Sequence, residues 1–284
     1  MTLTNNGLLF QDDGRLTVFN DVNGASAIDS ESRVSQAINE ILETYGEVVS
    51  VDAKKKSLLK YGVRTTVGTS WETLSTASGS ELQETYVTGN SIVNVVSSSA
   101  SDTGTIKYEY HTISGGETTF GVSGNVTLQG TTPVTLPTAA FRTSRAYNTG
   151  TNALVGNIYF YETGSRTDAN THLIIPAGEQ QTQKASTTIS SQDYWIVTNV
   201  TLSVLSKTSA YAEGRLEVKP VGTTYWRPIG QNFACSDASG TIQIQKEPFL
   251  IVPSNYDVRI AVKTNTANVV VAGGFNGYLA SVVA

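Results

Sequence analysis

The side chains able to do covalent chemistry are few. The chain holds two histidines, His111 and His172, and one cysteine, Cys235. A hydrolytic triad needs a nucleophile, a base and an orienting acid. Neither histidine adjoins a nucleophile motif, and G-x-S-x-G is absent. His111 closes an alternating segment and His172 precedes an apolar one, positions that suit structural histidines. Cys235, in Asn232-Phe233-Ala234-Cys235-Ser236, has no protease signature and reads as a small buried hydrophobe. A single cysteine also excludes an internal disulfide framework and a cysteine-based zinc site.

Paired carboxylates are the other route to catalysis on a β-rich scaffold. Glu162, Asp168, Asp193, Glu213, Glu217, Asp237 and Glu247 are the candidates. Glu213 and Glu217 share one strand face, and Leu216 and Val218 place that face in solvent. No aromatic and acidic cluster marks a cleft. Asp12-Asp13-Gly14 resembles part of a calcium loop without its later carboxylate, and phosphate-loop and H-E-x-x-H motifs are missing. The expectation is therefore no enzyme, no catalytic residue, no metal and no cofactor. Tyr225, Trp226 and Arg227 form an aromatic and basic group at a strand end, expected as an exposed contact for a sugar or a partner.

The elements that must position these residues follow from composition and periodicity. The 284 residues include 38 threonines and 29 serines, nearly a quarter of the chain, and only 15% charged residues. With 13 Tyr, 8 Phe and 3 Trp the chain is too apolar for disorder, and too poor in charge for a long solvated helix. A net charge of -5 argues against a nucleic-acid footprint. No apolar run reaches the roughly 20 residues of a membrane span. The N-terminal residues show no basic leader, so no signal peptide is expected.

Residues 1–57 read as a polar arm with one amphipathic helix. Val34, Ala37, Ile38, Ile41, Leu42 and Tyr45 recur at helical spacing. Val34, Ile38, Ile41, Leu42 and Tyr45 are the candidate anchor or oligomerisation face, covered either by the chain's own β-body or by a neighbouring subunit. From Leu58 the period becomes two. Ile106 and Tyr108 alternate with Lys107 and Glu109, Ile158 with Tyr159, Val200 and Leu202 with Thr201, Leu216 and Val218 with Glu217, and Val258 and Ile260 with Arg259. Turn clusters such as Ser114-Gly115-Gly116 and Asn148-Thr149-Gly150 separate the runs. The fold class expected is mainly β: antiparallel β-sandwich or jelly-roll domains at 58–165 and 166–284, with a soft boundary in the polar stretch 164–171. Few inward-facing charges are expected, so sheet edges would be covered by oligomerisation.

A resemblance covers roughly residues 58–284. Leu58-Leu59-Lys60-Tyr61-Gly62-Val63-Arg64 followed by Val67-Gly68-Thr69-Ser70-Trp71-Glu72-Thr73-Leu74 resembles a leader and strand in structural proteins of tailed bacteriophages. Val95-Val96-Ser97-Ser98-Ser99-Ala100-Ser101-Asp102-Thr103-Gly104 and Val126-Thr127-Leu128-Gln129-Gly130-Thr131-Thr132-Pro133-Val134 are similar to the elements that follow it. So are Phe141-Arg142-Thr143-Ser144-Arg145-Ala146-Tyr147, Ile175-Pro176-Ala177-Gly178-Glu179-Gln180, Ile251-Val252-Pro253-Ser254-Asn255-Tyr256-Asp257-Val258-Arg259 and Gly277-Tyr278-Leu279. Gly62-Val63-Arg64 departs from the family's usual Gly-Arg-Asn after the leader.

The resemblance implies a virion component made in the host cytoplasm, with no catalytic residues. It implies a capsid decoration, cement or head-fibre protein bound to the major capsid protein or other virion proteins, or alternatively a tail fibre, collar or adsorption-associated subunit. It also implies a homo-oligomer, trimers among the forms. A carbohydrate-binding module or glycan hydrolase, with a host surface glycan as partner, is a third reading of a different class. No nucleic acid and no membrane is expected as partner.

Overall fold

A computed structural model of the chain describes residues 8–10, 16–19, 25–27, 56–75, 86–206, 210–236 and 241–281. The helix expected at Val34 to Tyr45 lies outside the described residues, as do the five apolar side chains assigned to its face. Among the described residues every regular element is a β-strand. The chain divides into two units, residues 1–56 with 279–284, and residues 57–278.

In the first unit, β1 (Leu8–Phe10), β2 (Leu16–Phe19) and β3 (Ala25–Ala27) form an antiparallel meander, with Leu9 opposite Thr17 and Val18 opposite Ser26. The sequence reading treats this stretch as an irregular arm, because strands of three or four residues are too short to display a period.

The second unit is built from antiparallel sheets. Its strands run β4 (Lys56–Val67), β5 (Glu72–Thr73), β6 (Ile92–Ser97), β7 (Thr105–Ser114), β8 (Glu117–Val122), β9 (Val126–Thr127), β10 (Val134–Ala140), β11 (Arg142–Asn148), β12 (Ile158–Glu162) and β13 (Thr171–Ile175). They continue with β14 (Ser186–Ile189), β15 (Asp193–Ser206), β16 (Tyr211–Pro220), β17 (Arg227–Ser236), β18 (Thr241–Val252), β19 (Tyr256–Thr264) and β20 (Val269–Ser281). Four sheets result, in the orders β10-β6-β12-β13, β11-β7-β8 with β9 on β7, β14-β19-β16-β17 with β5 on β19, and β18-β15-β20-β4. The polar stretch taken as a soft boundary, residues 164–170, joins β12 to β13, and those strands pair antiparallel with Ile158 opposite Ile175.

Period two explains the core. Ile106, Tyr108, Val126, Leu136, Ile158, Phe160, Leu173 and Ile175 are buried in one cluster. The Tyr108 hydroxyl donates to the Thr138 carbonyl at 2.7 Å, so its polar tip is satisfied inside that cluster. Farther along the chain, Trp195 is fully buried beside Phe275, with ring centroids 4.7 Å apart. Cys235 is free and buried, and burial raises its thiol above the ordinary value.

Turn residues carry specific anchors. The Asp102 carboxylate accepts from the amides of Val155 at 2.7 Å and Gly156 at 2.8 Å and from the Ser97 hydroxyl at 2.5 Å. Asn255 sits at φ 58°, and its side-chain oxygen accepts from the amide and hydroxyl of Thr118 at 3.0 and 2.9 Å. A non-glycine residue in the left-handed region is uncommon, and asparagine tolerates it best. Asp102 ties its turn to the loop before β12, and Asn255 ties its turn to β8.

One expectation fails. Few inward charges are expected, yet Lys60, Arg64, Asp102, Arg142, Glu217, Lys219 and Asp257 are all buried. Each has a partner: the register of β16 on β19 pairs Lys219 with Asp257 and Glu217 with Arg259, Arg142 joins Asp257, Lys60 meets Glu109, Arg64 meets Glu72, and Asp102 takes hydrogen bonds from Ser97, Val155 and Gly156.

Candidate functional site

β16 is the element that organises the site. Tyr211, Glu213, Arg215, Glu217 and Lys219 alternate along it with Ala212, Gly214, Leu216 and Val218, so one face is charged and the other apolar. Its antiparallel partner β19 sets Lys263 opposite Glu213, Arg259 opposite Glu217 and Asp257 opposite Lys219. Each pair is of opposite sign, which is the stabilising arrangement for directly opposed residues on a sheet.

The pairs close as ionic contacts. Lys263 Nζ lies 3.0 Å from Glu213, and Lys219 Nζ lies 3.2 Å from Asp257. Arg259 reaches Glu217 Oε2 through Nε at 2.8 Å and Nη2 at 2.7 Å. Arg215 holds the other oxygen, Oε1, through Nε at 2.6 Å and Nη2 at 2.5 Å. Arg142 of β11 adds a fork onto Asp257, Nε to Oδ1 and Nη2 to Oδ2, both at 3.1 Å. Thr188 of β14 donates to Asp257 Oδ1 at 2.7 Å. Burial alone would push the Asp257 carboxyl up; the Arg142 charge and hydrogen bonds, with Lys219, outweigh it and hold the group below the ordinary carboxylate range.

Aromatic rings stand over this charged floor. The Arg259 guanidinium lies 4.2 Å from the centre of the Trp226 ring, and Arg215 lies 3.9 Å from that of Trp71. Lys219 Nζ lies 3.8 Å from the Tyr86 ring centre, and Tyr86 meets Trp226 edge-on at 5.2 Å. Such stacking adds about 0.5–2 kcal/mol per cation, more where water is excluded. Arg64 of β4 pairs with Glu72 of β5 at 2.5 Å.

Arg64, Trp71, Glu72, Thr73, Tyr86, Phe141, Arg142, Lys219, Thr224, Trp226 and Arg259 are among the residues lining a cleft of about 560 Å³. That is the size range of a small-molecule site. Three cations of this lining are held by buried carboxylates: Arg259, together with Arg215, on Glu217, and Arg142 and Lys219 on Asp257.

The sequence-predicted contact splits. Tyr225 is 50% exposed and accepts a hydrogen bond from Arg227 Nη2 at 2.7 Å, while Trp226 turns inward to the cleft wall. The three residues therefore do not form one exposed patch; successive residues of an extended chain point to opposite sides. Glu217 is 1% exposed and so is not on a solvated face. His172 bonds Glu162 through Nε2 at 2.9 Å, and His111 is buried edge-on to Phe120, with ring centres 5.3 Å apart. The sequence reading missed Arg142, Arg215, Lys219, Asp257 and Arg259. The signal for Arg215, Lys219, Asp257 and Arg259 was the alternation of charge along β16 and β19; Arg142, on β11, had none of that kind.

No known family model matches the chain, and no curated protein matches it.

Proposed function

We propose that this chain is a non-enzymatic structural protein of a tailed-bacteriophage particle, a head decoration or cement protein of head-fibre type. Its N-terminal arm binds the major capsid protein, and its β-body, of sandwich and jelly-roll type, makes adhesive contacts, as a homo-oligomer. The observation that carries this reading is the use made of the acidic side chains. Glu213, Glu217 and Asp257, the acids best placed for chemistry on β16 and β19, are each locked onto cations that clamp strands together. A carboxylate serving as base or nucleophile must be free to exchange a proton or attack; these serve as mechanical links.

Contact surface is available on β4, which stands at the end of its sheet, with Leu59 68% and Tyr61 51% exposed. A stable interface of standard size buries about 1,600 Å² in total. Purified protein added to expanded heads lacking it is expected to bind and raise their melting temperature. Removing residues 1–57 is expected to abolish attachment.

The cleft favours a second reading, a tail component engaged in adsorption. Deleting the gene would then abolish host attachment and leave head stability unchanged.

A further inference from the structure

We propose that the cleft over β16 and β19 binds a carboxylate-bearing saccharide, an acidic glycan of hexuronic or sialic type. The inference holds wherever the protein sits in a particle, because it concerns the isolated body. It starts from charge. Glu217 is buried and carries two guanidiniums, one on each oxygen, so Arg215, Glu217 and Arg259 together leave one positive charge over. A buried or half-buried charge without a counterion is costly, and an incoming anion offsets that cost.

Geometry narrows the anion. Guanidinium groups match a planar carboxylate through paired N–H donors. Arg259 lies against the indole of Trp226, which holds its plane in place. Trp71 and Trp226 are only half-buried, so each offers apolar ring surface at the cleft wall. A pyranose has a C–H face suited to such rings and a hydroxyl rim suited to Thr224, which is exposed where it lines the cleft. About 560 Å³ accommodates one or two sugar rings. A neutral sugar would leave the surplus charge unmet, and a small inorganic anion would leave the rings unused.

The test uses the full chain, with calorimetry and tryptophan fluorescence against four probes: sialyllactose, a hexuronate trimer, lactose and inorganic phosphate. Trp195 is fully buried in the core, so a fluorescence response reports on Trp71 and Trp226. Saturable binding of sialyllactose or of the hexuronate trimer is expected, weakening as salt rises, without binding of lactose or phosphate. The sialic and uronic arms identify the source of the carboxylate. Thr224 is exposed at the cleft, so Thr224→Glu is expected to weaken binding about tenfold by repulsion while the melting temperature holds. Arg259→Gln is expected to abolish binding. The proposal is overturned if neither acidic sugar binds, if lactose or phosphate binds as well as they do, or if Thr224→Glu leaves the affinity unchanged. None of these outcomes bears on head or tail attachment, which is measured on particles.

Discussion

Arg259 on β19 and Glu217 on β16 are direct cross-strand neighbours, and two nitrogens of the arginine close on one oxygen of the glutamate at 2.8 and 2.7 Å. The second oxygen belongs to Arg215. A carboxylate held from both sides, almost without solvent, fixes the spacing of the two strands. It also sets the guanidiniums beneath Trp226 and Trp71.

Glu217→Gln removes a buried carboxylate and leaves two partly buried guanidiniums facing each other without their counterion. Breaking a buried pair by removing one partner costs about 3–5 kcal/mol. Glu213→Gln on the same strand breaks a pair whose side chains are a quarter to a third exposed, and such pairs contribute under about 1 kcal/mol. Urea unfolding of the two variants is expected to separate them by at least ~2 kcal/mol. Equal losses would contradict the assignment of the clamp to Glu217.

The pH dependence of stability follows from His111. Burial holds its pKa down, lowered further by Lys60 and Arg142 against a smaller opposing effect of Asp257, to about 3 from 6.5. The unfolded chain therefore binds a proton that the folded chain refuses between those values. The stability from a neutral His111 is complete above pH 6.5 and is lost progressively as pH falls toward 3. The whole span is on the order of 5 kcal/mol. Chemical unfolding across this range is expected to show the slope, and His111→Phe is expected to flatten it.

A second acid-sensitive element is Asp102. Burial would raise its pKa, but hydrogen bonds from Ser97, Val155 and Gly156 prevail and hold it below 3.8. Its contribution is complete above pH 3.8 and disappears as pH falls through the lower folded value. Asp102→Asn replaces one acceptor oxygen with a donor that faces a backbone N–H, at an expected cost of about 1–3 kcal/mol. Thermal unfolding at neutral pH measures it.

Gly277 tests the packing around Trp195. A Cβ there would collide with the Ile196 carbonyl oxygen and lie 2.7 Å from the Trp195 indole nitrogen. Backbone cannot move aside as a flexible side chain can, so Gly277→Ala is expected to cost about 1–3 kcal/mol or more. Near-ultraviolet circular dichroism of Trp195 reports the disturbance.

Strand identity was legible where apolar and polar residues alternate without interruption. Ile106 and Tyr108, Val200 and Leu202, and Val258 and Ile260 are buried as their spacing indicates. The rule broke where both faces of a strand are covered. Glu217 follows the solvent phase of β16 yet is buried, because Arg215 and Arg259 replace water around it. Tyr161 and His111 are likewise buried on the phase that the alternation gives to solvent. The cleft was illegible as a unit. Arg142 and Asp257 are 115 residues apart, and only the fold brings them together. Trp226 was singled out by type, but its neighbours in sequence were taken as its partners, whereas its partners in space are Arg259 and Tyr86.

The most direct measurement is binding of the purified full-length chain to expanded heads of a tailed phage that lack it, read by sedimentation and by the melting temperature of the heads. Saturating, stoichiometric attachment with a raised melting temperature is the expected result. Heads that neither retain the protein nor gain stability would contradict its assignment as a head decoration protein.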